Sequence, residues 1–237
     1  MTRSSLFSVR LSDGRTERLT HCSQPCSFDT GTAFSRDGNV LSFLRVSYRN
    51  RLQKIMRVNL RTRNLKRVWL RPRLQPASTF SFMADGTPTL VAYEPGQKFG
   101  IYIRQASSHS FVRADACGDL PRCVVASGVA WGQEFGIVEL DVPGGPALAR
   151  LSASGEFEGV VVPCTHRVCP YAPALSDLGG DDVAEELAFE SGAETLDTDI
   201  YVSRADGGHR RQLTAGPAID CCADWAPGAP ELGAPKR

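Results

Sequence analysis

The sequence predicts an all-β chain, a propeller of four-stranded antiparallel blades, with five blades in the ring. Three observations predict it. A strand–turn–strand unit recurs five times, with turn centres about 45 to 52 residues apart. A second register of large apolar residues runs with a matching period. The short apolar runs are bounded too closely by Gly, Asp, Asn and Ser turns for βαβ crossovers, and favour hairpins. Four short strands per period of roughly 40 to 50 residues is the blade pattern, in which each sheet packs on its neighbours and radial closure protects the edges.

The first register comprises Leu6 to Thr20, Lys54 to Leu70, Gly100 to Arg113, Ala147 to Val162 and Asp199 to Thr214. Its central turns fall at Asp13-Gly14, Arg61 to Arg63, Ser107-Ser108, Ser154-Gly155 and Asp206-Gly207. Between them lie strand pairs at Thr32 to Leu44, Thr79 to Ala92, Gly128 to Leu140 and Pro173 to Phe189, and a further strand begins at Ala223. Phe34, Phe82, Trp131, Leu175 and Trp225 form the second register, with steps of 48, 49, 44 and 50. Lys54 to Leu70 can also be threaded as an amphipathic helix through Ile55, Val58, Leu65 and Val68, but its place in the repeat argues for strands. Two strands at the start, four complete blades and one strand near Trp225 give the count. The end pieces are expected to zip into a split fifth blade that removes the sheet edges, or else the chain is a piece of a larger ring. A single domain over residues 1–237 is expected.

At these residues the chain resembles the TolB-like, WD-type β-propeller repeat family. The most specific copy is Asp199 to Thr214 (DIYVSRADGGHRRQLT) followed by Asp224 to Gly228 (DWAPG), and Leu6 to Thr20 with Ala33 to Gly38 (AFSRDG) is the second. The other copies are degenerate. The motif residues are Asp13, Gly14, Asp37, Gly38, Asp199, Tyr201, Asp206, Gly207 and Trp225, and an architectural role is expected for each. Gly supplies a positive φ to the turn, and the preceding Asp can accept backbone N–H bonds. The resemblance implies a bacterial propeller that recognises a protein or a polymer; such propellers also serve as non-catalytic gating domains attached to peptidases.

Composition narrows the function classes. No run of 18 apolar residues occurs, so no membrane-spanning helix is expected, and no export signal is visible at the start. Residues 1 to 75 hold 16 Lys+Arg against 4 Asp+Glu, and the remainder holds 11 against 22, within a net charge of +1. Eleven Arg and Lys between Arg45 and Arg73, with Tyr48 and Trp69 among them, raise a polyanion-binding reading, set against a solvated edge whose charges deter strand pairing. Nucleic acid is the less favoured partner.

The eight cysteines form four pairs: Cys22/Cys26, Cys117/Cys123, Cys164/Cys169 and Cys221/Cys222. Each pair follows the outermost strand of one unit and precedes the innermost strand of the next. Local disulfides that stiffen a binding face are the favoured reading, and they imply a periplasmic or extracellular setting. Free buried thiols are the alternative. A metal site built on His21, Cys22 and Cys26, or on Cys164, His166 and Cys169, matches no familiar zinc spacing. No nucleophile elbow, zinc helix, phosphate loop or calcium loop is present, His109 and His209 fall in turns, and no cofactor or metal is expected. The acidic run Asp177 to Glu190 lacks calcium-loop spacing. An enzymatic alternative, a glycosidase-like propeller, would place Asp37, Asp85, Glu134 and Asp177 around a channel, although all four fall at turns. The expectation is a non-enzymatic recognition scaffold that binds a protein or cell-envelope polymer through one face and has no catalytic residue.

Overall fold

In the computed structural model the described residues are 5–9, 14–24, 26–35, 38–49, 52–68, 70, 73–83, 85–105, 107–108, 110–165, 168–176, 186–192, 198–216 and 219–220. Their regular elements are all strands. The chain divides into two compact units, Met1–Ala114 and Asp115–Arg237.

The first unit opens with a hairpin of β1 (Phe7–Val9) and β2 (Thr16–Arg18). Two antiparallel blades follow. One contains β3 (Phe28–Phe34), β4 (Val40–Ser47), β5 (Leu52–Asn59) and β6 (Leu65–Arg67), and the other β7 (Gln75–Phe82), β8 (Pro88–Tyr93), β9 (Gly100–Arg104) and β10 (Phe111–Arg113), each paired in chain order. Lys54 to Leu70 is therefore extended, as its position in the repeat requires. Strand β4 is buried on both sides, which explains its near-continuous apolar run. Leu44 and Val46 point with Ile55 into a core shared with Phe80, Leu90, Ala92, Tyr102 and Phe111 of the second blade. Leu41 and Phe43 point with Val58 the other way, onto Leu6 and Leu19 of the hairpin.

The second unit repeats the plan. The third blade is β11 (Val124–Trp131), β12 (Phe135–Val142), β13 (Gly145–Ser152) and β14 (Phe157–Val162); the fourth is β15 (Pro170–Leu175), β16 (Glu186–Ser191), β17 (Asp199–Arg204) and β18 (Arg211–Gln212). Phe135, Ile137, Leu148 and Val162 meet Leu187, Phe189 and Ala205 in its core, and Tyr201 stacks on Phe189 with centroids 5.7 Å apart.

The expected five blades are corrected to four among the described residues. The start of the chain supplies the hairpin β1–β2 alone, which pairs with itself through three residues per strand and so makes no four-stranded sheet. Locally it is built like the outer half of a blade. Leu6 N–H donates to the Thr20 hydroxyl at 3.0 Å, as Ile200 N–H donates to that of Thr214 at 2.9 Å. Leu19 N–H donates to the Leu6 carbonyl, as Leu213 N–H does to that of Ile200. The strand expected near Trp225 to complete a fifth blade lies outside the described residues, as do Asp13, Asp37, Asp177, His109, His166, Trp69, Cys221 and Cys222.

Each inner strand begins three to four residues earlier than its apolar pattern suggests, on the far side of a bulge. The register shifts fall between Thr30 and Ala33, Pro76 and Phe80, Val125 and Val129, and Tyr171 and Ala174. Small residues occupy these positions, such as Gly31, Ala77-Ser78 and Ala126-Ser127-Gly128. Side chains complete the interrupted ladder: Ser78 Oγ accepts the Val91 N–H at 3.1 Å, and the buried Glu139 carboxylate accepts that of Ala172 at 3.1 Å.

Candidate functional site: the disulfide-stapled loops

A four-stranded meander sorts its connections by end. The blade-to-blade loops share one end of each sheet with the turns between second and third strands. The turns after the first and third strands, which include Gly38, Gly86 and Gly207, lie at the opposite end. The cysteines sit in the blade-to-blade loops. Disulfides join Cys22 to Cys26 before β3, Cys117 to Cys123 before β11, and Cys164 to Cys169 before β15.

Around the first staple the inner strand carries a buried ion pair. Asp29 on β3 stands directly opposite Arg45 on β4, and its carboxylate accepts Arg45 Nε and Nη2, each at 2.7 Å. The Asp29 side chain has no exposure and that of Arg45 is 18% exposed. Arg45 Nη2 also reaches the His21 carbonyl at 3.4 Å, tying the strand to the loop. Cys22, Cys26 and Asp29 bring potential metal-ligand atoms within 4.8 Å of one another. With both sulfurs in a disulfide and the carboxylate held by a guanidinium, the group has no thiolate to offer a metal. In the third staple, Gly145 at φ +112 leaves the room occupied by the Cys164 sulfur, 2.7 Å from where a Cβ would stand.

Of the four candidate channel carboxylates, Asp85 and Glu134 lie among the described residues, and both sit in turns. Asp85 is spent within its own turn, accepting the Thr87 N–H at 2.7 Å and the Thr87 hydroxyl at 2.9 Å, and Glu134 is exposed in the β11–β12 turn. Asp206 likewise accepts the Gly208 N–H at 2.7 Å, and Asp199 accepts the Gln212 amide at 2.8 Å. The basic stretch is divided among several sites. Arg45 turns inward to Asp29, Arg63 pairs with Glu17 at 2.5 Å, and Arg57 and Lys66 face each other across β5 and β6. His21 and His209 are exposed. Among the described residues no helix is long and apolar enough to cross a membrane.

No family model and no curated protein matches this sequence. Solved structures do. TolB from Acinetobacter baumannii superposes with a TM-score of 0.68 at 15% identity, covering 91% of this chain and 49% of that one. The chain has a TolB-like β-propeller fold. The putative TolB from Agrobacterium tumefaciens gives 0.65 at 14% identity over 89% of this chain and 73% of that one. An oligogalacturonate lyase in complex with manganese gives 0.52 at 14% identity over 90% and 60%. The TolB-like chain thus spans about half the length of the A. baumannii protein. In the TolB-like propeller the stapled loops occupy one repeat position three times, and that recurrence distinguishes them from the other connections.

Proposed function

We propose that the chain works as one recognition domain, a non-enzymatic scaffold that holds a protein partner on the ends of the blades carrying the stapled loops. The observation that carries this reading is the placement of three disulfides at the same connection of the repeat. Besides stabilising the fold, a staple across five to seven residues fixes the loop's shape before a partner arrives and so lowers the ordering cost of binding. Likeness of fold to TolB proteins, and disulfides in a chain of this size, support a periplasmic or extracellular setting. A cell-envelope polymer is the companion ligand class.

A photo-crosslinking residue placed at Gln24 or Asp119, both exposed in stapled loops, should yield one discrete protein adduct in the native envelope fraction. The same residue at Ser107 or Ser154, in turns at the opposite end, should yield none. Adducts from both ends alike, or from neither, would overturn the reading.

A further inference from the structure

The first unit holds a cavity of about 470 Å³ at the end opposite the stapled loops, between its two blades. Its floor is aromatic. Phe80 stacks on Phe111 with centroids 5.7 Å apart, and Phe82 meets Phe80 edge-on at 6.2 Å. Its lining is cationic, with Arg57 from β5, Lys66 and Arg67 from β6 and Arg104 from β9, and no carboxylate lines it among the described residues. Two features make this arrangement costly when empty. The register sets Arg57 directly opposite Lys66, so like charges face each other across the strand pair. Arg57 Nε is also buried without a hydrogen-bond partner among the described residues.

We infer that this cavity binds an aromatic phosphate monoester, with the ring against the phenylalanine floor and the phosphate between Arg57, Lys66 and Arg104. A phosphate monoester brings nearly two negative charges and three acceptor oxygens, which suits a lining whose cations come from three different strands. A carboxylate offers half the charge. A volume of about 470 Å³ suits a single ligand of this kind, and the aromatic floor separates the site from a surface stripe that collects polyanions. The buried Arg57 nitrogen and the opposed charges are then the unliganded half of a binding site rather than packing faults.

The test is calorimetric titration of the intact chain with phenyl phosphate, inorganic phosphate and benzyl alcohol. Saturable one-to-one binding of phenyl phosphate is expected, with inorganic phosphate weaker by about tenfold or more and benzyl alcohol inert. Arg57→Met and Lys66→Met should each weaken phenyl phosphate by about tenfold, and Arg57→Met should raise the melting temperature of the unliganded protein by relieving the charge pair. Lys66 is exposed, so its variant keeps the test open if Arg57→Met does not fold. No saturation by about 10 mM phenyl phosphate, or unchanged affinity in the folded variants, overturns the site. Equal affinity for inorganic phosphate overturns the role of the aromatic floor. Tighter binding of a phosphotyrosine peptide than of a mononucleotide assigns the ligand to a modified protein, and the reverse order assigns it to a free metabolite; both orders support the site.

Discussion

Gly207 offers a sharp test of how adjacent blades are spaced. It sits in the β17–β18 turn at φ +79, and a Cβ built there would stand 2.2 Å from the Val161 carbonyl oxygen on β14 of the neighbouring blade. Gly86, at φ +83 in the β7–β8 turn, has nothing within 4 Å of the same added carbon. Alanine at either site carries the cost of a left-handed conformation, about 1–2 kcal/mol. Only the methyl group added at Gly207 must also displace a backbone oxygen that belongs to a paired strand, and overpacking of this kind costs about 1–3 kcal/mol more. Gly86→Ala should thus lose about 1–2 kcal/mol and Gly207→Ala about 2–5 kcal/mol. Guanidinium unfolding followed by far-UV circular dichroism measures both, with the m-values checked for equality before midpoints are compared. If Gly207→Ala costs no more than Gly86→Ala within about 0.5 kcal/mol, the carbonyl contact does not set the blade spacing and close approach does not account for the glycine.

The staples should register in stability as well as in binding. In the chain-entropy account a loop of five to seven residues contributes about 2 kcal/mol, so reduction should cost the second unit, with two staples among the described residues, about twice what it costs the first. Domain-resolved hydrogen exchange with and without reductant reads this, and equal losses in the two units would refute it. Peptide mapping of the oxidised protein should recover the linked pairs Cys22–Cys26, Cys117–Cys123 and Cys164–Cys169. A double-mutant cycle on Asp29→Asn and Arg45→Met should give a coupling of about 1.5–3 kcal/mol, because the pair is charge-assisted, bidentate and almost fully removed from solvent. A coupling below about 0.5 kcal/mol would place it with ordinary surface pairs.

What was legible in the sequence follows from what repeats. Phe34, Phe82, Trp131 and Leu175 end the four inner strands, so their common period marks the blades directly. The Asp-Gly turns and the Leu-Thr that closes an outer strand were readable because each answers a local backbone demand: a positive φ at Gly207, or a hydroxyl acceptor at Thr20 and Thr214 for an otherwise unpaired N–H. The inner strands' first residues were missed because bulges place small, weakly strand-forming residues where pairing continues. Gly31 and Ala126-Ser127-Gly128 look like loop, yet register resumes on both sides of them. Blade number failed for a related reason. Five copies of the outer-strand motif were visible, but a motif copy specifies two strands, and β1–β2 remains a two-stranded hairpin against the first blade.

The candidate sites divide along the same line. Cysteines announce themselves by residue type and by recurrence at one repeat position, so the stapled loops could be located before any geometry was known. The cavity over Phe80, Phe82 and Phe111 could not, because its parts come from separate strands of two blades whose side-chain facing depends on register. In sequence, Arg57 and Lys66 are two members of a long basic run. In the fold, other members of that run leave it: Arg45 for the buried Asp29, and Arg63 for Glu17. Of those that remain, register sets Arg57 and Lys66 face to face beside an aromatic floor. The two ends of the blades therefore carry different chemistry. One is fixed by covalent staples before any partner arrives, and the other holds opposed like charges that an anion would relieve.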